Sequence, residues 1–294
     1  MTIFNLGSIN IDHFYAVPHL PAPGETLAAQ SYSTGLGGKG ANQSVAAARA
    51  GASVIHIGSV GPDGASMVAR MREMGVDCAH VSTVATATAH AIINVDPRGE
   101  NAIVIFSGAN LEQSLTHLES AISAASQGDF LLLQNETDLQ LEAAKMARAA
   151  GLFVIYSAAP FSASAVEAMM PHIHLLVMNA VEAEQLTKAL SCALSDLPVP
   201  HLLITRGAEG SVWHDLRNGR DLTVPAFAVT PVDTTGAGDC FIGFVAAGMD
   251  RGLCAEEAMR LGAAASALQV QRPGTAEAIP SRAEVDDFLA AHNP

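Results

Sequence analysis

Short runs of consecutive apolar residues, alternating with longer stretches of helical periodicity, constrain this chain more than any other feature. Phe130-Leu-Leu-Leu133 and Leu175-Leu-Val-Met178 are apolar at successive positions, the pattern of strands covered on both faces. Strands are expected at 3–6, 53–58, 130–134, 153–156, 175–178 and 202–205. Helices are expected at 41–50, 64–74, 139–150, 164–170, 181–190 and 237–251. Alternation at this spacing implies βαβ units, hence an α/β fold with a doubly wound, mostly parallel sheet flanked by helices. With 294 residues, 49 % hydrophobic and 15 % charged, the chain can bury a large core; disorder needs low hydrophobicity with high charge and is excluded. The length admits one large α/β domain or two smaller ones.

Two segments break the alternation. Residues 89–95 and 102–107 are β-rich and joined by Asp96-Pro-Arg-Gly-Glu100, which carries hairpin turn chemistry. Residues 24–35, small and polar, read as exposed strand. Together they form either a small sheet standing off the main domain as a lid or an antiparallel edge on the main sheet.

Fifteen Lys and Arg against 29 Asp and Glu give a formal net charge of −14. That balance argues against a general nucleic-acid or anionic-membrane binder, which needs clustered cations. An anionic ligand must therefore be held by local devices, backbone N–H groups or a metal. Cys78, Cys192, Cys240 and Cys254 show no C-x-x-C spacing, the start of the chain lacks a signal-peptide pattern, and no run approaches the roughly 18 apolar residues of a membrane span. A cytoplasmic protein is expected.

Gly35-Leu-Gly-Gly-Lys-Gly40 matches G-x-G-x-x-G, but a dinucleotide fingerprint follows the first buried strand directly, and here a polar stretch intervenes. A nicotinamide-type oxidoreductase is set aside on that context. The segment reads either as a plain glycine turn or as a backbone that lets a ligand approach, with Lys39 and Asn42 entering a site at a helix start. Val232-Asp-Thr-Thr-Gly-Ala-Gly-Asp239 is the stronger signal. It leads into an apolar helical pattern, so the N–H groups of Gly236, Ala237 and Gly238 open a helix N-terminus suited to an anion. Asp239 in the first turn is either a cap or a general base. Asn179-Ala-Val-Glu182 sits at the carboxyl end of an expected strand, as a capping box or as oxygen ligands for Mg²⁺. Asn10, Asp12 and Glu136 follow expected strands and are either turn formers or hydrogen-bonding groups for a polyhydroxylated ligand.

In this order and spacing the motifs resemble the ribokinase family (phosphofructokinase-B type) of carbohydrate kinases over essentially the whole chain. They are Gly7-Ser-Ile-Asn-Ile-Asp12, Pro23-Gly-Glu-Thr26, Gly37-Gly-Lys-Gly-Ala-Asn-Gln43, Asn179-x-x-Glu182 and Asp233-Thr-Thr-Gly-Ala-Gly-Asp239. The resemblance implies one ribokinase-like domain over 1–294 with a β-sheet lid from about 10–36 and 88–107, and a homodimer through that lid. It implies ATP with Mg²⁺ and phosphoryl transfer to a primary sugar hydroxyl, with D-ribose the expected acceptor.

Carried over by residue, Asn10, Asp12, Gly38, Lys39, Asn42 and Glu136 resemble the sugar-binding set, and Asp239 matches the base. Gly236, Ala237 and Gly238 match the anion hole. Asn179 and Glu182 match the motif that organises Mg²⁺, Glu182 through water. Thr205, Gly207 and Gly210 resemble the nucleotide-binding strand end, and Gly262 and its neighbours fall at the adenine pocket. A monovalent-cation (K⁺) site would map to Asp233, Thr235, Gln269, Arg272, Gly274 and Ala278, several of them through backbone carbonyls, with Ala278 standing where the family has a Ser. A nucleoside, another sugar or a phosphosugar are alternative substrates. Phe14 with Tyr15 would cradle a base, and Arg98 would be the lone cation for a phosphosugar. A non-catalytic sugar-binding protein is the further alternative, against which Asp239, Asn179 and Glu182 stand together.

Overall fold

A computed structural model describes residues 1–292. The first half runs β1 (Thr2–Leu6), β2 (Asn10–Ala16), β3 (Ser31–Gly37), α1 (Lys39–Arg49), β4 (Ser53–Val60), α2 (Ala65–Glu73), β5 (Asp77–Thr83), β6 (Ala89–Val95), β7 (Asn101–Phe106), α3 (Leu115–Ser123) and β8 (Phe130–Gln134). The second runs α4 (Gln140–Ala149), β9 (Phe153–Ser157), α5 (Ala163–Met169), β10 (Leu175–Asn179), α6 (Ala180–Leu190), β11 (His201–Thr205), β12 (Ser211–Asp215), β13 (Arg220–Val224), α7 (Ala237–Asp250), α8 (Ala255–Gln269) and α9 (Arg282–Ala291).

Nine strands form the main sheet in the order β13-β12-β11-β10-β9-β8-β1-β4-β5, with parallel pairing except on the two sides of β12, which alone runs against the rest. Its strands are apolar throughout because both faces are covered. Phe130 and Leu132 of β8 pack with α1, α2, α7 and α8, whereas Leu131 and Leu133 pack with α3, α4, α5 and α6. β1 lies between β8 and β4, so winding reverses there and opens a crevice at the carboxyl ends of the strands.

The remaining strands form a separate sheet, β3-β2-β6-β7, which shares no pairing with the first. The expected hairpin is present. The Asp96 carboxylate accepts from the N–H groups of Arg98 (2.8 Å) and Glu100 (3.1 Å) and closes the turn between β6 and β7. The expectation of strand over 24–35 needs correction, since pairing begins only at Ser31 and reaches Gly37. Pro21 and Pro23 have no N–H to give to a ladder, and Gly24 turns the chain at φ 83°. Asn10 and Asp12 are not turn residues; both lie within β2. Among the described residues no helix is long and apolar enough to cross a membrane.

Candidate active site

The carboxyl ends of β1 and β8 converge on the N-terminus of α1. Glu136, just beyond β8, accepts from the Lys39 N–H (3.0 Å) and from the Ser8 hydroxyl, and Ser8 Oγ accepts from the Gly40 N–H (3.1 Å). α1 then packs against α7, and Gly243 makes this possible: a Cβ there would sit 2.4 Å from the Ala46 methyl. The close approach brings Asn42 and Gln43 onto the first turn of α7. Asn42 Nδ2 donates to Asp239 Oδ2 at 3.3 Å, and Gln43 Nε2 donates to Asp239 Oδ1 at 3.0 Å. The helix is entered through Gly236 at φ 73°, a left-handed conformation that would strain any side chain. Asp239 is therefore more than a cap: its carboxylate lies buried against α1 and makes no capping bond.

Burial pushes the Asp239 carboxyl above its ordinary range, opposed by the Lys39 ammonium and the Gln43 and Asn42 amides, with Glu136 adding to the rise. Lys39 is held firmly protonated, chiefly by Asp239, against the effect of its own burial; its Nζ lies 3.9 Å from Glu136 Oε1. Asp12 faces the same space from the small sheet. Burial, Glu136 and Glu277 raise its carboxyl to about 7, with Lys39 opposing. Asn10 is oriented by Asn110, whose Nδ2 donates to Asn10 Oδ1 (2.9 Å), leaving the Asn10 amide N–H groups to face outward from that bond. Among the described residues no group of three or more His, Cys, Asp or Glu side chains could hold a metal by itself.

Two cavities meet at the Gly236–Gly238 turn. One, of about 170 Å³, is lined by Lys39, Asn179, Glu182, Thr205, Gly238 and Asp239. The other, of about 650 Å³, is mostly apolar and is lined by Gly207, Gly210, Phe227, Phe241, Ala267 and Val270 among others. Thr205, Thr234, Ala237 and Gly238 border both. Asn179 and Glu182 do form a capping box, Glu182 N–H to Asn179 Oδ1 at 2.9 Å and Asn179 N–H to Glu182 Oε2 at 2.8 Å, while also lining the small cavity.

Some expectations change. Of the three N–H groups expected to face an anion, that of Ala237 donates to the Thr234 carbonyl (3.2 Å), which sets it apart from Gly236 and Gly238 as a donor for a ligand. Of Gly262 and its neighbours, Ala263, Ser266 and Ala267 line the large cavity as expected, whereas Gly262 itself packs on α7, where a Cβ would meet the Phe241 carbonyl at 2.8 Å. Asp233, Thr235, Gln269 and Gly274 come together. Asp233 accepts from the N–H groups of Thr235 (2.9 Å) and Gly274 (3.0 Å), and Gln269 Nε2 donates to the Thr235 carbonyl (3.1 Å). Arg272 stays with this group through its backbone, its N–H donating to the Gln269 carbonyl (2.9 Å), while its guanidinium turns away to pair with Glu284 at 2.6 Å. Ala278 closes a short turn on Thr275.

Phe14 and Tyr15 cannot form one cradle, because successive strand residues point to opposite faces; Tyr15 packs on Tyr32 at 5.0 Å between ring centroids. Arg98 is tied to Asp96 of its own turn through Nε (3.0 Å) and Nη2 (2.8 Å). Gln43 and Asn110 escaped the reading of the sequence as site residues, although Gln43 stands directly after Asn42 in the glycine-rich motif.

The pfkB family carbohydrate kinase signature matches residues 2–282. A ribokinase of Haemophilus influenzae is 38 % identical, the match covering 98 % of each chain. Among solved structures, a ribokinase from Thermotoga maritima superimposes with a TM-score of 0.87 at 32 % identity, covering 99 % of each chain. Ribokinase from Arabidopsis thaliana, complexed with ribose and ATP, gives 0.85 at 29 % identity over 98 % of each chain.

Proposed function

The chain belongs to the pfkB family of carbohydrate kinases, and from that premise we propose that it transfers the γ-phosphoryl group of ATP to the primary hydroxyl of D-ribose, giving ribose 5-phosphate and ADP. The observation that carries the site is the buried Asp239 carboxylate, which lines the small cavity next to Gly238, where that cavity meets the large, mostly apolar one. The sugar lies between the small sheet and α1. Asp12 accepts its hydroxyl protons, Asn10 and Asn42 offer amide groups, and the backbone at Gly38 allows the ring to approach. The Asn42 Oδ1 atom, buried without a protein partner, is an acceptor for one more sugar hydroxyl. Lys39 and Glu136 close the polar side. The nucleotide base enters the apolar cavity, with Thr205, Gly207 and Gly210 at the strand end beside it.

Asp239 takes the proton of the attacking hydroxyl, and its raised affinity for protons makes it a stronger base for that task. Gly236 and Gly238 N–H groups, with Lys39, stabilise charge on the transferring oxygens, the largest contribution to catalysis in phosphoryl transfer. Glu182 and Asn179 would hold Mg²⁺, Glu182 through water, and the ion would supply charge neutralisation on the phosphates. The buried Gln269 Oε1, which has no partner, supports a monovalent-cation site at Asp233, Thr235, Gln269, Arg272 and Gly274, several of them through backbone carbonyls. Its occupant would be K⁺, a large ion suited to neutral oxygens.

The small sheet serves as lid and as dimer surface. β7 is an edge strand exposed along its length, with Val104 66 % and Ile105 60 % exposed on opposite faces, and a second copy of the chain would cover it. Four unpaired cysteines suit a reducing cytoplasm. A coupled ADP-release assay over ribose, 2-deoxyribose, fructose, fructose 6-phosphate and nucleosides, with and without K⁺, tests the reading. Ribose should give the highest kcat/KM. ADP release favouring a nucleoside or a phosphosugar would displace ribose, and no release with any acceptor would overturn catalysis.

A further inference from the structure

Behind Asp239 runs an unbroken chain of side-chain hydrogen bonds, wholly buried and extending away from both cavities. Gln43 Nε2 donates to Asp239 (3.0 Å), Gln134 Nε2 donates to Gln43 Oε1 (2.8 Å) and to Asn5 Oδ1 (3.0 Å), and Asn5 Nδ2 donates to Ser44 Oγ (2.8 Å). Ser44 Oγ meets His56 Nδ1 at 2.8 Å, and His56 Nε2 lies 3.1 Å from the Gly7 carbonyl. Gln43, Gln134, Asn5, Ser44 and His56 are each 0 % exposed. A buried polar network of this length is costly unless every donor and acceptor agrees in direction.

The direction follows from the far end. A carbonyl only accepts, so His56 must carry its proton on Nε2 toward Gly7, which leaves Nδ1 a bare acceptor. Burial keeps that imidazole neutral, with its proton affinity lowered to about 4. The Ser44 hydroxyl must then donate to His56 and accept from Asn5. The Asn5 amide uses its NH₂ on Ser44 and on the Gly40 carbonyl (2.8 Å), so its oxygen faces Gln134. Gln134 spends both amide protons on Asn5 and Gln43, and Gln43 is left with only its NH₂ to present to Asp239. No member can flip alone without setting two acceptors or two donors against each other.

Resting on Asp239 as the base, we propose that Gln43 is a positioning residue for it, locked NH₂-first toward the carboxylate by the buried chain Gln134–Asn5–Ser44–His56. The chain holds Asp239 ionised and in one rotamer, ready to accept the sugar proton. Titratable groups facing the carboxylate are Lys39 on α1 and Glu136 beyond β8, with Cys240 next to it on α7. None of these is a member of the chain, so cutting the chain leaves that electrostatic frame intact.

The experiment is the pH profile of kcat in Ser44→Ala, Ser44→Thr and Gln43→Glu, with KM for ribose and ATP, and melting temperatures to establish folding. Ser44→Ala removes the link to His56 for the loss of one oxygen. It should lower kcat at neutral pH by about three- to tenfold and move the acidic limb upward by roughly half a pH unit, with both KM values unchanged. Ser44→Thr keeps the hydroxyl and should restore the parent profile. Gln43→Glu sets a second carboxyl against Asp239 and should move the limb upward by about one unit or more. Folded Ser44→Ala with the parent limb would overturn the role of the chain, and the same result for Gln43→Glu would overturn the role of Gln43. Should Asp239→Asn itself retain turnover, the assignment of the base fails, an outcome distinct from either.

Discussion

On one side of the Gly236–Gly238 turn stand Asp12, Asn10, Asn42, Lys39 and Glu136, polar groups each held by a directed hydrogen bond or by charge. On the other stand Phe227, Phe241, Ala267 and Val270, with scarcely a charge among the residues lining the cavity. The first arrangement distinguishes a ligand atom by atom, because an unmatched buried donor or acceptor forfeits its full desolvation cost. The second gains from area removed from water and forgives small changes of shape. In the proposed reading a net charge of −14 does not oppose nucleotide binding: the phosphates would meet backbone N–H groups and one lysine, and the base would need no charge at all.

The largest effect is expected at the turn where the two sides meet. Asp239→Asn should retain binding of ribose and ATP, measured by calorimetry, while turnover falls roughly a hundredfold or more. Near-normal turnover would show that the polar side merely binds. Next comes Asp12→Asn, which should cut kcat/KM for ribose by about tenfold to a hundredfold and leave KM for ATP unchanged, since hydrogen bonds to a charged group are lost on one side only. An equal rise in both KM values would break the division.

The Asp12 carboxyl also makes a pH prediction of defined sign. Its affinity for a proton is raised in the folded chain to about 7, so ribose affinity should weaken as pH falls through 7. The same shift favours the protonated folded state. Its contribution to stability is present below about pH 4 and is lost as pH rises through 7. The melting temperature of Asp12→Asn should therefore exceed that of the parent at about pH 8, with the gap shrinking toward pH 5. A gap independent of pH would contradict the assignment. Smallest of all, Phe241→Leu should raise KM for ATP only a few-fold with ribose kinetics untouched.

What could be read in the sequence divides along related lines. Phe130–Gln134 was legible to the residue, because a parallel strand buried on both faces is apolar at every position. β5, β12 and β13 were not: they lie toward or at the sheet edges, where polar residues such as the exposed Asp77 and Arg220 and the half-buried His214 interrupt the pattern. α8 was missed for another reason, its Ala-rich run Ala263–Ala267 offering almost no contrast between buried and exposed faces. In the site, Asp239 and Asn42 announce themselves through glycine-rich turns. Asn110 and Gln134 lie 100 and 129 residues from Asn10 and Asn5, the partners they orient, and no local pattern reports a contact between such distant positions. Gly262 shows the opposite error, a glycine read as ligand space that serves helix packing.

The most direct measurement is the identity of the product formed from ribose and ATP, followed by ³¹P nuclear magnetic resonance alongside ADP release. Ribose 5-phosphate should form in step with ADP, one for one. Inorganic phosphate without a sugar ester, or an ester at the anomeric oxygen, would contradict a base at Asp239 that activates the primary hydroxyl.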